Sequence, residues 1–497
     1  MLNDRDLRRI IEVGIDLTTE DNRDRLLEKI LKSAMDISRC DAGTLYLYQN
    51  NALVFKIMKT LSQGVSRGEH GDKIDLPPVP LKEGNVCAYS AIHKTLVNIA
   101  DVYHSERFDF SGPKKYDSIT GYRTQSMLVI PMQDADGTLV GVLQLMNAQD
   151  DAGNVVPFSE DDEFIIRSLS SMTAITLLNM LYLEEIKAQM HSFVSAFATA
   201  VDERTPYNGS HTKKVTVYAG ILARYINALH EAGECADSFD ENRLEQLELA
   251  STLHDIGKMI VPLSVMNKQT RLEERLERVE SRFALIRACS RIALLEGRLP
   301  QADWETVDRQ LTEDLEFIRQ ADGAGFLPDE KLARVNEIAA RTWTAPDGTV
   351  QPWLTEEERQ CLCIRKGTLT DEERRIMESH VLMTEKILSR VHFNHSYANV
   401  ARFAASHHEM LNGSGYPRHL KGEQLELESR ILAVVDIFDA LTSTDRPYKK
   451  PIPRPKAFAI LRSMVDEGKL EGRLVDYLEA ALTQVDEEEI SRRAAAL

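Results

Sequence analysis

His254 and Asp255 stand side by side in this chain, and what surrounds them gives the pair its force. Adjacent imidazole and carboxylate side chains can hold one metal ion together, and the second carboxylate oxygen can bridge to another. His211 precedes the pair, and His380, the doublet His407-His408 and Asp436 follow it. That makes seven metal-competent groups with no thiolate among them. They lie far apart along the chain, so they act together only in a fold that gathers several separate segments around one point. Imidazole and carboxylate suit Fe, Mn, Zn or Ni better than Mg or Cu(I).

Four motifs contain or adjoin these groups: Asp202-Glu-Arg-Thr-Pro-Tyr-Asn-Gly-Ser-His211, His254-Asp-Ile-Gly-Lys258, His407-His-Glu-Met-Leu-Asn-Gly-Ser-Gly-Tyr-Pro417 and Asp439-Ala-Leu-Thr-Ser-Thr-Asp-Arg-Pro-Tyr-Lys449. In identity and order they resemble those of the HD-GYP family, a branch of the HD metal-dependent phosphohydrolases. The resemblance covers roughly residues 195–265 and 364–455, and it implies a set of roles. His211, His254, Asp255 and Asp436 would bind one metal. Asp255 would bridge to a second, held by His380, His407 and His408. A hydroxide between the two cations would attack phosphorus in line. Asp255 and Lys258 are the implied catalytic residues. Lys258 lies one helical turn beyond His254, which predicts a place on the same face, within reach of a phosphate oxygen or the leaving 3′-oxygen. Arg446 and Lys449 resemble positions that grip the substrate's phosphates, and Tyr416 can pack against a sugar or base. Glu409 is expected to orient a ligating histidine. Some family members hold a third metal through a glutamate where this chain has Tyr207, so two metals are expected. The chain departs from the family at Met410, where Arg or Lys is usual, and at Asn412, where Asp is usual. His392, His395 and His419 read as surface or helix-end residues.

The N-terminal part has a different texture. Residues 5–18 and about 22–38 read as helices. Gly43–Tyr48 with Ala52–Met58, and Gln125–Met132 with Gly137–Met146, read as two strand pairs, the second turning at Asp136-Gly137. Gly141 inside the last strand predicts a bulge or a close backbone approach. With Leu96–Asp101 and Arg107-Phe108, this stretch resembles a GAF domain over residues 1–180, leading helices included. The resemblance implies an antiparallel sheet with helices on one side and a small-molecule pocket on the other. Asn147, Phe158, Asp162 and Glu163 follow the pattern of cyclic-nucleotide-binding members, but Ala148 replaces the lysine expected to pair with the aspartate. The same residues also read as a hydrophobic staple and an acidic helix start. The expected GAF ligand is therefore a cyclic nucleotide, another small molecule, or none.

Residues 161–200 read as one connecting helix. Ile175, Leu178, Tyr182, Ile186, Met190, Phe193 and Phe197 recur along it at spacings of three and four. This seam is more apolar than a solvated connector needs. It predicts a parallel homodimer contact or packing on the chain's own domains. Residues 201–497 read as the HD-GYP domain, interrupted at about 268–364 by a mainly helical insertion. The insertion holds all three tryptophans, Trp304, Trp343 and Trp353. It reads as a satellite core, or as a lid or protein-partner surface at the catalytic mouth. The expected fold is multidomain: an α+β GAF domain joined by a long helix to an all-α HD-GYP domain.

A formal net charge of −18 disfavours nucleic acid and membrane surfaces as partners. The N-terminus lacks the pattern of a signal peptide, and no apolar run is expected to span a bilayer. Six scattered cysteines suit a reducing compartment. These features read as cytoplasmic. The HD-GYP resemblance implies cyclic di-GMP as the substrate, opened under GAF control to linear pGpG, with either pGpG or GMP as the end product. The insertion and the departures at Met410 and Asn412 support two rival readings: a cyclic di-GMP receptor with little turnover, and a phosphodiesterase for another cyclic dinucleotide.

Overall fold

The computed structural model describes residues 12–16, 22–68, 73–204, 210–393, 395–443 and 451–496. Most of the helix expected over 5–18 lies outside these, and residues 12–16 are helical. The chain divides into two compact units, Met1–Met190 and His191–Leu497.

In the first unit, the Asn22 side chain accepts from the amides of Asp24 and Arg25 and so starts the helix Arg23–Ser38. Leu26, Leu27, Ile30, Leu31 and Ala34 give that helix one buried face. An antiparallel sheet follows, built from β1 (Cys40–Gln49), β2 (Ala52–Thr60), β3 (Val65–Arg67), β4 (Val79–Pro80), β5 (Val97–Ile99), β6 (Met127–Gln133), β7 (Leu139–Gln149) and β8 (Val155–Val156). Its order is β3-β2-β1-β7-β6-β5, with β4 on β2 and β8 on β7. Both faces are covered, which explains the nearly unbroken apolar runs of β6 and β7. Leu45, Leu128, Ile130, Leu143 and Leu145 face the core shared with Arg23–Ser38. Tyr46, Met127, Val129 and Val142 face the opposite core. A Cβ on Gly141 would lie 2.0 Å from the Tyr46 carbonyl oxygen, so β1 and β7 approach too closely there for any side chain. The register shifts between Met132, which pairs with Gly141, and Gln133, which pairs with Leu139, and a second shift falls at Leu45/Tyr46.

The second face carries a cavity of about 460 Å³ lined by residues such as Tyr46, Phe55, Phe110, Tyr122 and Gln144. The four residues that fit the cyclic-nucleotide pattern do not line it. Phe158 is buried in the other core. Asp162 accepts from the Ser159 amide and hydroxyl, and Glu163 accepts from the Asn98 side chain. Asn147 accepts from the Gln125 amide and donates to the Arg123 carbonyl. Asp162 thus caps the helix start, whereas Asn147 and Glu163 tie neighbouring segments.

The connecting helix runs unbroken over Glu160–Asp202, 43 residues. Ile165, Ile166, Leu169, Ala174 and Leu177 pack into the sheet's core. Ile175, Tyr182, Ile186, Phe193 and Phe197 of the seam are exposed. This helix corrects one sequence expectation. By length and composition alone it is long and apolar enough to cross a membrane. Part of the apolarity is the face committed to the sheet.

The second unit is mainly helical. Its insertion comprises the helices Arg275–Leu295, Gln301–Asp322, Asp329–Ala339 and Glu356–Leu362 and the hairpin Thr342–Thr344/Val350–Pro352. They close over their own core, including Leu272, Phe283, Leu311, Val335, Trp353 and Leu362. This segment thus has a core of its own. Both its ends are pinned. Arg271, fully buried, donates to the carbonyls of Ala321, Ala324 and Ile364. Lys268 pairs with Glu373 at 2.6 Å, at the start of the helix Asp371–Leu388. The Lys268 side chain is 1% exposed, so neutralising Glu373 strands a buried charge. Glu373→Gln is expected to lower unfolding free energy by about 3 kcal/mol in denaturant titrations. A midpoint equal to wild type would refute this anchoring role.

Candidate metal centre

Several segments bring the seven expected ligands together. His211 opens the helix His211–Glu231. His254 caps the end of the helix Glu241–Leu253, and Asp255 follows it. His380 lies within Asp371–Leu388, and Asp436 within Leu427–Thr442. His407 and His408 come just after the short helix Val400–Ala404. All but His408 are buried.

Asp255 sits between two groups of donors. Its Oδ2 faces His254 Nε2 at 3.3 Å and His211 Nε2 at 3.6 Å. Its Oδ1 faces His380 Nε2 at 3.5 Å and His407 Nε2 at 3.9 Å. Asp436 completes the first group, with Oδ1 3.3 Å from His211 Nε2. His408 completes the second, so that His211, His254 and Asp436 form one cluster and His380, His407 and His408 another, each with donor atoms within 4.8 Å. Most of these separations are long for hydrogen bonds. They are near what two donors show when each lies about 2.1 Å from a shared cation. His254 Nε2 and Asp255 Oδ1 are buried without a hydrogen-bond partner. Such orphaned atoms are costly, and a cation satisfies both. The donor set thus fits two divalent transition-metal ions.

The charge states of His380, His407, His408, Asp255 and Asp436 agree with that fit. Burial pushes His407 well below the ordinary imidazole range, lowers His380, and takes His408 down to about 4, so these rings are neutral donors at neutral pH. Burial works against ionising Asp255, yet Lys258 and the neighbouring imidazoles outweigh it and hold the carboxyl well below its usual range. Asp436 is held low in the same way, chiefly by His211. Burial disfavours the His211 imidazolium too, but contacts with Asp255, Asp436 and Asp439 raise that ring well above the ordinary value.

The rings are aimed by their second nitrogens. Nδ1 of His254, His380 and His407 bonds to the carbonyls of Ser251, Met377 and Ala404, each three residues back. His211 bonds instead to Asp439 Oδ2 at 2.7 Å. Sequence reasoning gave Asp439 no role, although its place one turn after Asp436 on one helix was the available signal. It gave the orienting role to Glu409, and the structure corrects this: both Glu409 oxygens accept from loop amides, those of Arg418 and Leu420. Lys258 also arrives by another route. The helix stops at Leu253, and Lys258 sits in a tight 3-10 turn, Ile256–Ile260, with Nζ 2.5 Å from Asp255 Oδ2. The Tyr416 ring lies 4.9 Å from His408. Arg446, Lys449 and Tyr207 lie outside the described residues.

Comparison with known proteins agrees with this architecture. Residues 22–177 match the GAF domain family, and residues 358–474 match an HD domain family. A 3'3'-cGAMP-specific phosphodiesterase 3 from Vibrio cholerae is 24% identical over 274 residues, 55% of this chain and 35% of that protein. A cyclic di-GMP phosphodiesterase from Thermotoga maritima is 42% identical over 110 residues, 22% of this chain and 28% of that protein. The chain thus spans about a third of these relatives' length. The crystal structure of a GAF domain from an Acinetobacter phosphoenolpyruvate-protein phosphotransferase is similar at 16% identity and TM-score 0.29, covering 37% of this chain and 99% of that one.

The chain joins a mixed α+β GAF domain, through one long helix, to an HD domain with two His/Asp clusters of metal-binding geometry. That is the sensor–effector architecture of HD-GYP-like proteins.

Proposed function

We propose that this protein is a cytoplasmic, metal-dependent phosphodiesterase that hydrolyses cyclic di-GMP to linear pGpG and onward to GMP, under GAF control. The observation that carries the reading is the division of the Asp255 carboxylate, one oxygen toward each donor group. Two bound divalent ions, Fe or Mn by preference with Zn or Ni also suited, would supply a hydroxide nucleophile at neutral pH and neutralise charge on the phosphodiester. The chain's own residues do the rest. Asp255 holds the two halves in register. Lys258, beside it, brings a cation or a proton to a phosphate oxygen or the leaving 3′-oxygen. Tyr416, next to His408, packs against a base or sugar, and Arg446 and Lys449 are assigned to the phosphates. Lys258 and the metal-centred charge let an acidic protein hold a small dianion that its net charge would otherwise repel.

The Thermotoga maritima relative's name supports cyclic di-GMP. A second reading, turnover of another cyclic dinucleotide, is favoured by the longer match to the Vibrio cholerae protein named as 3'3'-cGAMP-specific. The test is anaerobic turnover of both dinucleotides by the full chain loaded with Fe(II) or Mn(II). Linear product from cyclic di-GMP with at least about ten-fold higher kcat/KM supports the first reading. The reverse preference replaces it with the second. Two bound metals and no product would make the protein a receptor.

The exposed seam is assigned to a homodimer through the connecting helix. Placing charges there with Ile186→Glu and Phe193→Glu is expected to convert a dimer to a monomer in sedimentation velocity. A wild-type monomer, or a doubly substituted dimer, would sink this assignment.

A further inference from the structure

We propose that Asp439 is a positioning residue that makes the His211–His254–Asp436 half of the centre hold its metal more strongly than the His380–His407–His408 half. This rests on the metal-centre reading above. Three ligating histidines are aimed by carbonyls one turn back. His211 opens its helix, and its Nδ1 bonds to a side chain rather than to a carbonyl. Asp439 takes that place from another helix, accepting from Nδ1 at 2.7 Å, which leaves Nε2 toward Asp255 and Asp436.

A carboxylate is not equivalent to a carbonyl in that position. It carries charge, and across an Nδ1–H bond it makes the imidazole a stronger donor at Nε2. Asp439 is 1% exposed, and its Oδ1 has no hydrogen-bond partner. A carboxylate so poorly satisfied is expensive to bury unless positive charge lies nearby. The charge on the two halves is correspondingly unequal. One half offers two imidazoles, Asp436 and an oxygen of Asp255, with Asp439 behind His211. The other offers three imidazoles and the remaining oxygen of Asp255, with Asp436 Oδ2 3.7 Å from His408 Nδ1. Asp255 and Asp436 are thus shared, and Asp439, behind His211, makes the difference.

The experiment uses the full chain as wild type, Asp439→Asn, Asp439→Ala and His408→Ala, each loaded with Mn(II) and titrated with a chelator, with bound metal counted by mass spectrometry. Wild type is expected to release its ions in two steps. His408→Ala should lose the weaker step alone. Asparagine can still accept from Nδ1–H but has no charge, so Asp439→Asn should weaken the tighter step by about ten-fold, and Asp439→Ala by up to about a hundred-fold. Thermal melts of the metal-free proteins separate this from misfolding, and the isosteric variant keeps the test alive should the alanine variant not fold. Single-step release by wild type, an unchanged tighter step in Asp439→Asn, or equal weakening of both steps would overturn the proposal. A wild-type chain that binds no Mn(II) would instead remove the metal centre itself.

Discussion

Asp255→Ala is expected to lower turnover of the cyclic dinucleotide on the order of 10³-fold or more while the chain stays folded. Asp255 turns one oxygen to two imidazoles of each donor group, whereas Asp436 reaches across only to His408, with Oδ2 3.7 Å from its Nδ1. Alanine therefore removes a donor from each half and the carboxylate that faces most of both. It also strips Lys258 of its 2.5 Å partner and so of its aim. Metal content should fall with activity. Asp255→Asn discriminates shape from charge, since it keeps the volume and one acceptor oxygen but cannot place anionic oxygen toward both clusters. It is expected to retain more metal than alanine and almost none of the turnover. Product formation in anaerobic assays, beside metal analysis of the same samples, measures both. Wild-type turnover in Asp255→Ala with two ions bound would sink the bridging role.

Much of the centre was legible because its ligands sit in motifs. His254-Asp255 and His407-His408 are adjacent pairs, and a pair is visible without knowing the fold. What the sequence hid is where chain direction changes. Lys258 follows His254 at helical spacing, yet the helix ends at Leu253 and a tighter turn carries the lysine to Asp255 from another side. Glu409, next to two ligands, looked like their orienting group. Its oxygens instead hold the amides of the Arg418–Leu420 loop, and the group that aims a ligand is Asp439, contacting His211 across 228 positions of sequence. Contacts over such separations leave no periodic trace. In the N-terminal unit the hairpin at Gly137 was readable, since φ there is 79° and glycine supplies it without strain. Both-faced burial left its mark in the unbroken apolar run of β6, since a sheet covered on one face alternates apolar with polar. The long helix hid an ambiguity, with one apolar stretch serving the sheet and another left exposed.

A single methyl group at Gly257 is expected to displace His380. The turn after Asp255 lies flush on the helix Asp371–Leu388. A Cβ on Gly257 would fall 1.9 Å from the His380 carbonyl oxygen and 2.5 Å from the Thr384 amide nitrogen. These are backbone atoms on the buried face of that helix, so no rotamer change relieves the clash. Thr384 fastens the two segments further: its hydroxyl accepts from the Gly257 amide at 3.0 Å and donates to the His254 carbonyl at 2.9 Å. Gly257→Ala must therefore push the turn and helix apart, and the side chains that move are those facing each other across the centre, Asp255 and His380. Overpacking of this kind costs about 1–3 kcal/mol, and misplacing a reacting geometry by roughly an ångström costs about 10²-fold in rate. Gly323→Ala is the control, because its Cβ would meet nothing within 4 Å and its φ of −86° suits alanine. Denaturant midpoints, bound metal and turnover should all fall in Gly257→Ala and stay near wild type in Gly323→Ala. A Gly257→Ala protein with wild-type stability and both ions in place would show that the helix yields there without moving His380, and the backbone contact would lose its claim to set the geometry of the centre.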